Sequence, residues 1–156
     1  MNKKLICYFS PTGTTKEVAI KIANVINGDL FEIEPVSKYT SDDLNWQDKN
    51  SRSSVEMQYK SSRPAIKNKV DNISDYDKVV IGFPIWWYTA PTIINTFLEE
   101  NDLINKEVFI FVTSGGSSEE KSFNDLRDLY KNINFIKAKR FNYNLNDEEI
   151  KKFLGE

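Results

Sequence analysis

The sequence predicts an α/β protein, a doubly wound parallel sheet with helices on both faces. Continuous apolar runs at 3–9 (KKLICYF), 78–83 (KVVIGF) and 107–113 (EVFIFVT) read as strands buried on both sides, because a half-exposed strand would alternate polar and apolar residues. Each run leads through a loop into a segment of helical period, the alternation that builds βαβ units. The length of 156 residues suits one domain, so residues 1–156 are expected to form a single unit.

The elements follow in order. After the first strand, Ser10-Pro11-Thr12-Gly13 breaks the run, and a helix capped by Thr14 or Thr15 carries Val18, Ala19, Ile22, Ala23 and Ile26 before Asn27-Gly28 ends it. Residues 30–34 read as a second strand. The stretch 35–77 is polar and serine-rich, with room for a helix between Ser41 and Ser62 and a turn near Arg63-Pro64. A structureless linker of that size is out of place in a compact domain, so a loosely packed crossover helix is expected. The third strand at 78–83 precedes a helix that starts at Pro91, where a first turn tolerates proline, and carries Ile93, Ile94, Phe97 and Leu98 on one face. Beyond the fourth strand at 107–113, a Ser-Gly-Gly-Ser turn opens a helix with Phe123, Leu126, Leu129 and Tyr130. A fifth strand around 134–141 and a short helix with Ile150, Phe153 and Leu154 complete the chain, and no internal repeat is visible.

Composition excludes several chemistries. Hydrophobic residues at 40% supply a core, and Lys plus Arg at 21 against 23 Asp plus Glu gives a net charge of −2, which creates no field for nucleic acid or an anionic membrane. With no histidine, Ser-His-Asp and Cys-His catalysis and His-ligated metals are ruled out. The single cysteine, Cys7, forms no internal disulfide or thiolate cluster and reads as a buried, inert thiol. No metal site and no catalytic side chain are expected. The start of the chain runs straight into a strand without an apolar leader, and no membrane span is apparent, so a soluble cytoplasmic protein, monomer or weak dimer, is expected.

In parallel sheets, ligands bind beyond the carboxyl ends of the strands where the strand order reverses, which directs attention to three loops. Ser10-Pro11-Thr12-Gly13-Thr14-Thr15 offers hydroxyls, a glycine and the free amides of a helix start, the ingredients of an anion site suited to a phosphate monoester. A helix cap made by threonine is the plainer reading. In Gly82-Phe83-Pro84-Ile85-Trp86-Trp87-Tyr88-Thr89-Ala90-Pro91, three consecutive large aromatics cannot all face one core, so at least one is expected at the surface, where a flat heteroaromatic ligand could stack. Packing against 35–77 or a dimer contact would also account for these rings. Thr113-Ser114-Gly115-Gly116-Ser117-Ser118 is a turn whose amides and hydroxyls could surround a polar ring edge.

Taken together, the loops resemble those of the flavodoxin family. Ser10 to Thr15 is similar to the family's phosphate loop [ST]-x-T-G-x-T, residues 82–91 resemble the G-x-P-I-W-W motif of a flavodoxin-like subfamily, and residues 113–117 resemble its third flavin loop. The resemblance spans essentially the whole chain and implies a five-stranded parallel sheet of order 2-1-3-4-5 holding FMN at the switch point. It implies that Ser10, Thr12, Gly13, Thr14 and Thr15 hold the phosphate, with Pro84, Ile85, Trp86, Trp87 and Tyr88 on one side of the isoalloxazine and Ser114, Gly115 and Gly116 on the other. The implied activity is electron transfer between redox partner proteins, a reductase and an acceptor, with the protein setting the potential of the flavin. Two departures stand out. Many members carry a glycine in the second loop whose peptide turns over toward flavin N5, and residues 84–88 contain none, which could favour two-electron behaviour. Many members are also strongly acidic, and this chain is nearly balanced. An FMN-dependent NAD(P)H:quinone-type oxidoreductase is therefore the alternative. Two non-redox classes of related fold fail on their residues: Ser10 and Pro84 stand where a phospho-receiver needs acids, and counting C-x5-R from Cys7 puts Gly13 at the arginine.

Overall fold

The computed structural model describes residues 3–142 and 144–156; Met1 and Asn2, on which the reading of the start of the chain partly rests, and Tyr143 lie outside. Strands β1 (Lys4–Tyr8), β2 (Asp29–Glu32), β3 (Lys78–Pro84), β4 (Glu107–Thr113) and β5 (Asn134–Arg140) alternate with helices α1 (Thr14–Ile26), α2 (Arg52–Gln58), α3 (Thr92–Glu100), α4 (Glu120–Leu129) and α5 (Asp147–Leu154). The strands form one parallel sheet of order β2-β1-β3-β4-β5, so the order reverses at β1 and β3 as the resemblance implied.

The continuous apolar runs have the expected cause. Side chains of β1, β3 and β4 alternate between two cores: Leu5, Cys7, Val79, Ile81 and Ile110 pack with α3 and Leu126 on one face, and Ile6, Val80, Phe109 and Phe111 pack with α1 and α5 on the other. Cys7 is fully buried, and burial pushes its thiol pKa far up, which fits an inert core residue. The edge strand β2 pairs with β1, is mostly exposed and runs over Asp29–Glu32 rather than the expected 30–34. Leu129, expected on the buried face of α4, is 59% exposed. No helix among the described residues is long and apolar enough to cross a membrane.

The segment between β2 and β3 is short of regular structure but not loose. Helix α2 has only 7 residues, yet Ser51, Ser53 and Ser54 at its start are buried. Tyr39 donates to Glu56 at 2.6 Å, and Arg52 pairs with Glu56 at 3.0 Å while its guanidinium sits 3.7 Å from the centre of the Tyr39 ring. A short antiparallel bridge joins Pro35 to Ile66, and Arg63 reaches Glu99 of α3 at 3.0 Å.

Glu99 gives this anchoring a pH dependence. The hydrogen bond from Arg63 holds its carboxyl below the ordinary 4.5 against a smaller opposing effect of burial, and Tyr130 donates a second bond, its own phenol pushed up to about 12 by burial and by Glu99. A carboxylate with a lowered folded pKa contributes stability that is complete above the unfolded value and disappears as pH falls through the folded one. Glu99→Gln should therefore melt lower than the native chain at neutral pH, and the gap should narrow below about pH 4.5. A gap that stays constant from pH 7 to pH 3 in thermal melts would show that the ionised carboxylate contributes nothing.

Candidate functional site

The loops after β1, β3 and β4 meet at the carboxyl edge of the sheet around a cavity of about 430 Å³. Its lining includes Pro11 and Thr12 from the first loop, Pro84, Ile85, Trp86, Trp87 and Tyr88 from the second, and Ser117 from the third. Leu44, Trp46 and Ser53 add a wall that the sequence reading did not supply. The only signal for it was a lone tryptophan in an otherwise polar, serine-rich stretch.

In the first loop, the expected threonine cap is replaced by a different arrangement. Gly13 occupies the N-cap position with φ +96°, a left-handed conformation that disfavours any other residue, and no side chain caps from there. The Ser10 hydroxyl instead accepts the Lys16 amide at 2.9 Å. Thr15 is buried and shares a 2.8 Å hydrogen bond with Thr113, which latches the first loop to the end of β4. The amides of Thr14 and Thr15 open the helix with no intrahelical acceptor, Thr12 is exposed, and Thr14 is half-buried.

In the second loop, the Ile85 amide donates to Thr113 at 3.0 Å, and Trp86 and Thr89 exchange backbone hydrogen bonds of 3.0 and 3.1 Å around a two-residue turn. Both central residues, Trp87 at φ 47° and Tyr88 at φ 68°, are left-handed, the signature of a type I′ turn usually filled by Asn-Gly. The three aromatics therefore part company. Trp86 is half-buried and meets Phe9 and Tyr39 edge-on at 5.5 and 5.4 Å. Trp87 is partly exposed and also borders a second depression that reaches α4, while Tyr88 is 70% exposed. Thr89 anchors the turn to Asp125 at 2.6 Å. The hydrogen bonds from Lys121 and Thr89 keep the Asp125 carboxyl low although burial alone would raise it.

Bulky residues in left-handed backbone store about 1 to 2 kcal/mol each, and such strain persists where the surrounding structure imposes it. Tyr88→Gly should therefore be more stable than Tyr88→Ala by about 1 kcal/mol, the reverse of the ordering at ordinary backbone. Urea denaturation of the two variants measures it, and an alanine variant as stable as the glycine one would refute the strain.

In the third loop, Ser114 donates to the Ser117 carbonyl and the Arg140 guanidinium donates to the Ser114 carbonyl at 3.1 Å. Ser117 faces the cavity, and Gly116 lies with Tyr88 and Lys121 around an adjoining hollow. The three loops thus meet at one edge of the sheet, with Thr12, Pro84, Ile85, Trp86, Trp87 and Tyr88 of the expected residues on the cavity wall and Ser10, Gly13, Thr14, Thr15, Ser114, Gly115 and Gly116 off it. Ser10 and Thr15 spend hydrogen bonds inside the protein, and the segment between β2 and β3 is a fourth contributor to the cavity. No cluster of three or more His, Cys, Asp or Glu side chains able to hold a metal occurs among the described residues.

The first loop, whose Thr12 lines the cavity and whose end opens α1, and the flat aromatic residues of the second loop make a geometry able to take a heteroaromatic ligand that carries an anionic tail. Comparison with known proteins bears on what that ligand is. The flavodoxin family model matches residues 3–156. A candidate flavoprotein of Bacteroides eggerthii superposes with a TM-score of 0.97 at 46% identity, covering 99% of this chain and 97% of that one. A second from Bacteroides uniformis gives 0.93 at 44% identity, with 99% of both chains covered. A flavoprotein of Lactobacillus acidophilus, solved in complex with FMN, gives 0.76 at 27% identity over 98% of this chain and 99% of that one. No curated protein matches.

Proposed function

We propose, from the premise that this chain belongs to the flavodoxin family, that it binds FMN non-covalently between the three loops and carries electrons between protein partners, a reductase and an acceptor. The observation that carries the reading is the cavity of about 430 Å³ at the strand-order reversal, lined by the hydroxyl-bearing Thr12, Ser53 and Ser117 together with Trp86, Trp87 and Tyr88. The residues present fit the cofactor. Gly13 leaves open space where a Cβ would stand, and Ser53 on the cavity wall has a buried hydroxyl with no protein partner. The FMN complex of the Lactobacillus acidophilus relative supports the same ligand here.

In this reading the amides of Gly13, Thr14 and Thr15 and the hydroxyls of Thr12 and Thr14 hold the phosphate. Ser10, whose oxygen already accepts from Lys16, still has its own O–H to donate. Pro84, Ile85, Trp86, Trp87 and Tyr88 flank the ring on one side and Ser114, Gly115 and Gly116 on the other. When bound, FMN supplies redox chemistry in one- or two-electron steps. The protein excludes water with its aromatic walls and keeps the surrounding dipoles still. Trp87 at the first central position of the turn disfavours the type II′ alternative, which wants glycine there, so the peptide between Trp87 and Tyr88 stays as it is.

The purified protein tests the proposal. Uptake of one FMN per chain, with reduction only through a reductase, is the expected result. Steady-state NAD(P)H oxidation with quinones by the protein alone would overturn the carrier reading in favour of an NAD(P)H:quinone-type oxidoreductase, and failure to take up FMN would overturn both.

A further inference from the structure

We propose that the segment joining β2 to β3 is part of the cofactor site: the Ser53 hydroxyl hydrogen-bonds the bound flavin beyond its phosphate, and the Trp46 indole covers the ring system. The inference rests on the FMN reading above and extends it to residues outside the three flavin loops.

Three serines sit together at the start of α2, and they are not equivalent. Ser51 donates to Ser54 at 2.9 Å, which satisfies both hydroxyls within the protein. Ser53 is only 2% exposed, lies on the cavity wall, and its Oγ is buried with no partner. A buried hydroxyl without a partner is unfavourable in an isolated chain, and a ligand that completes its hydrogen bonding removes the penalty. Two other unpartnered hydroxyls, of Thr92 and Thr96, belong to α3 and do not border this cavity.

Trp46 is a complementary anomaly. It is 69% exposed, a large apolar surface left in water on the lining of the same cavity, on a segment made mostly of polar residues. A mobile loop would make such an exposure uninformative, but this one is fixed. The Ser53 amide donates to the Asp43 carbonyl at 2.9 Å, Arg52 donates to the Ser37 carbonyl at 2.7 Å, and Tyr39 packs against Trp86 of the second flavin loop. The wall is therefore set in place before a ligand arrives, so binding need not supply the cost of ordering it.

Fluorescence titrations with FMN and with riboflavin, together with thermal melts of the unloaded protein, test the proposal. Ser53→Ala should weaken both ligands by about fivefold, the worth of one net hydrogen bond, while the unloaded variant melts no lower than the native chain because an orphaned hydroxyl is gone. Trp46→Ala should weaken both ligands as well, with Trp46→Phe recovering most of the loss. Affinities of Ser53→Ala within twofold of native for both ligands would overturn the Ser53 contact, and so would a loss confined to FMN, which would move the contact to the phosphate. An unchanged Trp46→Ala would overturn the cover. A native chain that takes up neither flavin would instead defeat the FMN reading itself, an outcome distinct from uptake with indifferent variants.

Discussion

Gly82→Ala is expected to cost about 3 kcal/mol of stability, the upper end of what overpacking a core usually costs, although Gly82 does not line the cavity. A Cβ built on Gly82 would stand 1.9 Å from Cζ and 2.1 Å from Cε2 of Phe111, distances no real pair of carbons tolerates. Phe111 lies beside Gly82 in the register of β3 and β4, is fully buried, and packs against Phe141 on the core that α1 and α5 cover. Its ring has nowhere to retreat. The Gly82 carbonyl also accepts the Phe9 amide at 3.0 Å, the last backbone bond before the first loop, so a displaced strand would carry the loop with it. Urea unfolding should show the midpoint falling with an unchanged slope, and Gly82→Ala combined with Phe111→Leu should recover part of the loss, as expected of a clash between two contacting residues. A cost below 1 kcal/mol, or no recovery in the double variant, would show that the sheet yields at this point.

The parts of this protein that could be read from sequence are those whose physics is local. Strands β1, β3 and β4 announce themselves because burial on both faces forces unbroken apolar runs, and the loops that follow them stand where parallel sheets bind ligands. The segment 35–77 was opaque for the opposite reason. What holds it is a set of tertiary contacts between residues far apart in the chain, Tyr39 with Glu56 and Arg63 with Glu99, which leave no period in the sequence. Its share of the cavity wall, Leu44, Trp46 and Ser53, was invisible with it. The helix cap shows the same limit on a smaller scale. The sequence points to Thr14 or Thr15 as the cap, and only the three-dimensional path of the chain gives Ser10 the Lys16 amide and turns Thr15 inward to Thr113.

That division of labour among the hydroxyls makes the phosphate loop separable from the fold. Thr12→Ala combined with Thr14→Ala should weaken FMN binding by about 1 to 3 kcal/mol, roughly five- to 150-fold, because under the proposed reading each hydroxyl removed would be a charge-assisted donor to a phosphate oxygen. Stability should hardly move. Thr12 is exposed and Thr14 only half-buried, and neither takes part in the Ser10 cap or in the Thr15–Thr113 latch. Thr15→Val makes the contrasting case, since it leaves the Thr113 hydroxyl buried without its partner and should lower the melting temperature of the unloaded protein. Riboflavin, which has the ring and ribityl chain but no phosphate, should bind the Thr12, Thr14 double variant and the native chain equally. Isothermal titration of both ligands against both proteins measures the difference directly. If FMN affinity is unchanged, the loop is a helix start and nothing more. If riboflavin loses as much as FMN, the threonines support the ring and the phosphate is held elsewhere. Only a loss specific to the phosphorylated ligand, in a protein that melts where the native chain melts, matches a loop in which the Lys16–Ser10 and Thr15–Thr113 hydrogen bonds maintain the structure while the Thr12 and Thr14 hydroxyls add to the hold on the anion.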